Sequence, residues 1–94
     1  MYFHIQCKDK PNSMDLRMAT RDKHLAYLKG FTDNLYLAGP TIADDGKTVT
    51  GSVIIVDVDD KAAAEAFCAG DPYAQAGLFE SVTINPFRKT IPAD

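Results

Sequence analysis

The stretch from Thr48 to Val58 constrains the fold more than any other part of the chain. Val49, Val53, Ile54, Ile55, Val56 and Val58 are all β-branched, the side-chain type that packs best on a pleated strand. From Val53 to Val56 the apolar residues fall on both parities. Successive side chains of a strand point to opposite faces of its sheet, so this strand needs a cover on each side. Helices of the same chain can supply one cover. With only 94 residues, a chain buries roughly 60–65% of the surface it exposes when unfolded, and has little left over for the second. The economical second cover is another copy of the same sheet, with either Ile54 or Val56 turned toward it.

The remaining elements are punctuated clearly. Tyr2 to Lys8 alternates and reads as a first strand, with Phe3, Ile5 and Cys7 on one side. The turn-rich run Asp9-Lys10-Pro11-Asn12-Ser13 follows, and Ser13 can cap the next element. From Met14 to about Asp33 there is no proline, which predicts one long helix. Leu35 to Ala38 is a short strand stopped by Gly39-Pro40, and Asp45-Gly46 sits in a hairpin turn before the Thr48–Val58 strand. Asp59 or Asp60 caps a helix through the alanine-rich run Ala62 to Ala66, which Gly70 ends. Asp71-Pro72 opens another short helical turn. Leu78 to Asn85 is the last strand, and Pro86 to Asp94 is a tail. The order is β-α-β-β-α-β in a single domain spanning 1–94. It predicts an α+β, ferredoxin-like fold: four antiparallel strands with both helices on one face.

The long helix breaks its own pattern. Met14, Met18, Leu25, Leu28, Phe31 and Leu35 share one apolar arc at 100° per residue. Arg17, Arg21 and His24, spaced i, i+4, i+7, fall inside that arc rather than opposite it. Polar side chains on a core-facing stripe need partners or a water-filled pocket. One reading has the arginines bending outward to the rim, with His24 a hydrogen-bonded core histidine. The other has a pocket between this helix and the sheet, lined by all three residues, with Asp71 at its edge. Asp71 is equally open to two readings, since Asp before Pro is a good helix cap by itself. Tyr73 can pack or turn its phenol into a cavity.

Composition removes several function classes. Ten basic residues against 13 acidic ones give a net charge of −3, the wrong sign for nucleic acid, whose binding displaces counterions with a basic face. No uncharged run approaches the ~20 apolar residues that span a bilayer. Cys7 and Cys68 form no CxxC pair, and so few histidines accompany them that no metal site is expected. Two reduced thiols in a cytoplasmic protein are the simpler reading. No P-loop, dinucleotide fingerprint or nucleophile elbow is present, so no cofactor is expected.

The ordered set Arg17-x-x-x-Arg21-x-x-His24-Leu25, Leu37-Ala38-Gly39-Pro40, Gly51-Ser52, Asp71-Pro72-Tyr73-x-x-Ala76-Gly77-Leu78 and Asn85-Pro86-Phe87-Arg88-Lys89 resembles the YciI-like (YCII-related) family over nearly the whole chain. The resemblance implies a ferredoxin-like protomer of the dimeric α+β barrel group, and a homodimer. It also implies an active site made of a histidine on the first helix and an aspartate in the Asp-Pro-Tyr turn, here His24 and Asp71. Some members are associated with lyase-type chemistry on hydroxylated, chlorinated aromatics. With that pair as catalytic residues, Arg17, Arg21, Ser52 and Tyr73 become the candidate substrate-binding residues. A carboxylate on one imidazole nitrogen fixes the tautomer and leaves the other as a base, so the two side chains are expected within ~2.6–3.2 Å of each other, directly or through a water. The implied function is isomerase- or lyase-type proton transfer on a small oxygenated compound, aromatic ones included. The alternative is a non-catalytic dimeric module that binds a small molecule in the same cleft.

Overall fold

Alternation in the first strand turns Phe3, Ile5 and Cys7 inward, and these side chains become the floor of the core. The computed structural model describes residues 1–93. In chain order its elements are β1 (Tyr2–Asp9), α1 (Met14–Lys29), β2 (Leu35–Ile42), β3 (Val49–Asp57), α2 (Lys61–Gly70), α3 (Pro72–Gln75) and β4 (Phe79–Phe87). The sheet order is β2-β3-β1-β4, and every neighbouring pair is antiparallel. Strands β1 and β2 therefore run the same way with β3 between them, which requires α1 to cross over the sheet; α2 does the same for β3 and β4. This is the ferredoxin-like α+β arrangement expected from the order of elements.

The register decides which side of the central strand faces which cover. Phe3 lies opposite Val56, Ile5 opposite Ile54 and Cys7 opposite Ser52. Ile54 and Val56 are thus on the helix side, nearly fully buried with Leu28, Ala64 and Phe67 in the protomer's own core. The expectation that one of them faces a second copy is corrected. The opposite parity, Val53 and Ile55 beside Gln6 and His4, points away from the helices.

Three element boundaries also differ from the expected ones. The first helix stops at Lys29 instead of about Asp33, because the Thr32 hydroxyl donates to the Lys29 carbonyl and Asn34 is already paired with Asp57. Strands β2 and β4 run through Pro40 and Pro86. Both are edge strands, where a missing N–H is tolerated and blunts pairing with other chains. The tail is correspondingly shorter, and its last residue, Asp94, lies outside the described residues. Ser13 occupies the N-cap position of α1, but its hydroxyl donates to the Pro11 carbonyl instead of capping. The other two caps form as expected: Asp60 accepts from the Ala63 N–H and Asp71 from the Tyr73 N–H.

Both cysteines are unpaired. Burial, helped by neighbouring negative groups, pushes the Cys7 thiol up to about 12 and the Cys68 thiol up to about 11. At pH 8 the native thiolate population should fall about 1,000-fold and 100-fold below that of an ordinary thiol, and alkylation should slow in proportion. Timed reaction with a chromogenic disulfide, native against urea-unfolded, measures this. The unfolded chain releases these protons near pH 9 and the folded chain holds them. Their contribution to stability is therefore complete below pH 9 and declines as the pH rises above it.

Candidate functional site

Helix α1 faces inward along a different line from its apolar arc. Its buried residues are Arg17, Thr20, His24 and Leu28, whereas Met18 is 60% exposed and Met14 and Leu25 lie on the same open flank. Arg17 and His24 are 6% and 7% exposed. Neither snorkels to the rim; the core is built to receive them. Arg21, one turn beyond Arg17, is exposed.

Two contacts bring the end of α2 against α1. The Tyr27 hydroxyl donates to the Phe67 carbonyl at 2.8 Å, and the rings of Tyr27, Phe31 and Phe67 pack together. Gly70 makes this approach possible, since a Cβ there would lie 2.5 Å from the Tyr27 hydroxyl oxygen. The next residue, Asp71, is thereby delivered to His24. Nδ1 of His24 lies 2.8 Å from Oδ1 of Asp71, and that oxygen also accepts the Tyr73 N–H at 2.9 Å. The capping contact and the imidazole contact are therefore both made, by one atom. An ionised carboxylate only accepts, so the contact assigns the proton of the neutral ring to Nδ1.

Tyr73 lies flat on His24, with ring centroids 3.9 Å apart and planes 15° from parallel. Its ring also meets the Arg17 guanidinium, whose central carbon is 4.6 Å from the centroid. Burial pushes the Tyr73 phenol above its ordinary value, against the opposing pull of Arg17 and Arg21. The phenol therefore stays protonated in the neutral range, able to donate a hydrogen bond.

Arg17 is held on several sides. Its Nε donates to Asp9 Oδ2 at 2.8 Å, and its Nη2 reaches Asp9 Oδ1 at 3.3 Å, the Gly51 carbonyl at 2.9 Å and Ser52 Oγ at 2.7 Å. Gly51 has no room for a side chain, because a Cβ would run into the Cys7 carbonyl. Asp9 is the residue that sequence reasoning missed, having been read as part of a turn. The signal was its parity: it continues the inward series Phe3, Ile5, Cys7, and a carboxylate there can answer a buried guanidinium.

A cavity of about 310 Å³ opens beside these groups, lined by Arg17, Met18, Arg21, His24, Ser52 and Tyr73, with Leu25, Leu28 and Ile54 and residues 38–40 and 49 completing its wall. Arg17, Arg21 and His24 thus share one pocket, and Asp71 stands behind His24 rather than at the mouth. With Nδ1 committed to Asp71, Nε2 is the nitrogen left for the cavity. Arg17 is occupied by protein partners, whereas Arg21 makes no hydrogen bond or ion pair among the described residues. A larger groove of about 770 Å³ lies at the end of the sheet, around Lys8, Lys10 and Glu80, and shares only Asp9 and Val49 with the site. Among the described residues no three His, Cys, Asp or Glu side chains gather as a metal site, and no helix is long and apolar enough to cross a membrane.

A βαββαβ protomer with one open sheet face, and a buried imidazole–carboxylate pair beside a cleft on the other, is an α+β protein of the dimeric-barrel class. Solved structures agree. The structure of 5-chloro-2-hydroxyhydroquinone dehydrochlorinase (TftG) from Burkholderia phenoliruptrix AC1100, in complex with 2,5-dihydroxybenzoquinone, is similar over 100% of both chains, with a TM-score of 0.89 and 31% identity. An antibiotic biosynthesis monooxygenase shares the fold alone, at a TM-score of 0.57 and 15% identity over 96% of this chain and 99% of its own. The chain belongs to the YCII-related domain family, whose profile matches residues 1–88. Among relatives, protein YciI of Escherichia coli O6:H1 is 36% identical, over 95% of this chain and 98% of its own length.

Proposed function

We propose that this protein is a small acid–base enzyme that catalyses lyase-type elimination on a compact oxygenated ring, with His24 as the base and Asp71 as its orienting partner. The observation that carries the reading is the 2.8 Å contact between His24 Nδ1 and Asp71 Oδ1, both buried, beside a cavity that His24 lines. In the step proposed, the ring reacts as its keto tautomer, in which one hydroxyl proton has moved to the carbon that bears the leaving group, and Nε2 takes the proton of a second hydroxyl conjugated to that carbon. The electron pair left behind forms a new double bond, and the leaving group departs with its own bonding pair. The proton then passes from Nε2 to water. Arg21 faces the oxygen on which negative charge develops, and Tyr73 donates a hydrogen bond from its protonated phenol. The likeness to the dehydrochlorinase supports loss of HCl as the first reaction to try.

The assay is release of chloride from 5-chloro-2-hydroxyhydroquinone, followed with the quinone absorbance against a no-enzyme control. Catalysed release supports the reading. Saturable binding of that compound without catalysed release would replace it with that of a binding module.

The same reading makes the protein a homodimer, closed over the helix-free sheet face. That face carries Val53 and Ile55, and Leu37 opposite Ile55 on β2 and Phe87 beside His4 are large and exposed in the protomer. Sedimentation at micromolar concentration should give a dimer, and Ile55→Asp should yield monomer or unfolded chain. A parent protein that sediments as a monomer would end this part of the proposal. The two unpaired cysteines fit a reducing compartment, and the reading places the protein in the cytoplasm.

A further inference from the structure

Residues i and i+7 of a helix stand one above the other, about 10.5 Å apart along its axis. That separation leaves a slot wide enough for one aromatic ring. In α1 the two residues are Arg17 and His24, and the ring in the slot is Tyr73, with the imidazole 3.9 Å from its centroid and the guanidinium carbon 4.6 Å away. The stack is anchored at both ends: Asp71 holds His24, and Asp9, Ser52 and the Gly51 carbonyl hold Arg17. A leucine at position 17 would fill an inward helical position without taking a charge out of water. A guanidinium does something leucine cannot, because it sits over a ring while its edge is fixed by a carboxylate fork.

We propose that Arg17 and Asp9 are positioning residues that act on His24 through Tyr73: the clamped guanidinium sets the plane of the phenol ring, and that ring sets the plane of the imidazole. The inference rests on the acid–base reading of His24 for its effect on rate, but not for its structural content. It also separates the two arginines of the pocket. Arg21 meets the substrate, and Arg17 does not.

Two variants that retain packing test it. Arg17→Lys keeps the charge near Asp9 but has no forked edge to fix it over Tyr73, and Asp9→Asn keeps a side-chain acceptor while removing the charged fork. The first readout is the NMR signals of the His24 ring protons, which lie over the face of Tyr73 and are shifted upfield by its ring current. In both variants these signals should move toward the positions of an unstacked histidine while the rest of the spectrum stays folded. The second is steady-state kinetics with 5-chloro-2-hydroxyhydroquinone: kcat should fall by up to about 10²-fold, as for a catalytic group displaced by about an ångström, with KM nearly unchanged. His24 signals that stay in place in both folded variants would overturn the proposal, as would a rise in KM with kcat preserved, the mark of a direct substrate ligand. Failure of the elimination reading is distinguishable. The parent would then show no turnover while the His24 signals still moved in the variants, which upholds the clamp.

Discussion

Replacing His24 with glutamine is expected to lower kcat for chloride release about 10²–10⁴-fold, the contribution of a positioned general base. Glutamine can still accept and donate hydrogen bonds beside Asp71, so a folded but inactive protein is the expected product. Asp71→Asn is the sharper test, because Asp71 Oδ1 serves both the Tyr73 N–H and His24 Nδ1. Asparagine caps a helix about as well as aspartate, so unfolding in urea should shift by less than about 0.5 kcal/mol. What it removes is the charge that fixes the imidazole proton on Nδ1. Nitrogen-15 NMR of the neutral ring should report protonated Nδ1 in the parent and a mixture of tautomers in the variant, together with a large loss of kcat. If Asp71→Asn kept the parent's kcat and tautomer, Asp71 would be a cap and nothing more.

Asp9→Ala is expected to cost about 3–5 kcal/mol of stability, because it leaves the Arg17 charge inside the protein with neither its counter-charge nor any side-chain acceptor at position 9, whereas Asn there keeps the acceptor and loses less. The comparison that isolates burial is Asp57→Ala. The N-terminal ammonium and Asp57 are also 2.8 Å apart, but their side chains are 60% and 56% exposed, against 8% and 8% for Arg17 and Asp9. Removing an exposed pair should change stability by no more than about 1 kcal/mol, and less at high salt. Two ion pairs with the same separation should thus differ several-fold in effect. Denaturant midpoints of the two variants, read on one protein preparation, give the answer. Equal losses would contradict the buried-pair account.

Much of this architecture is legible in the chain. Strand alternation, the β-branched central strand and the Asp-Pro turn lead to the βαββαβ order because each follows from local geometry. Which parity of β3 faces the helices does not, since Val53 to Val56 is apolar throughout and only pairing with Phe3 and Ile5 breaks the tie. The edge prolines mislead for a related reason. Pro40 and Pro86 look like strand ends until the sheet order places their strands on the outside. In the site, the spacing of Arg17, Arg21 and His24 announces a polar feature on an inward face. It cannot say that Arg17 and His24 go inside while Arg21 stays out, because that division depends on Asp9 and Asp71, contributed by a strand end and a distant turn. Helical phase alone assigns Met18 to the core, yet Met18 lines the cleft.

The division of labour in the cleft bears on how such a protein changes its diet. The imidazole and its carboxylate are held from behind, by the inner line of α1 and the start of α3. The opposite wall is built from the outer flank of α1, at Met18 and Leu25, and from an edge strand at Ala38, Gly39 and Pro40. On the acid–base reading proposed above, exchanges on that wall alter the shape and polarity offered to a substrate without disturbing the atoms that move the proton. A lineage can therefore drift among ring compounds of similar size by editing a handful of surface positions. A protein engineer can follow the same route, randomising positions 18, 25 and 38 while leaving the chemistry in place.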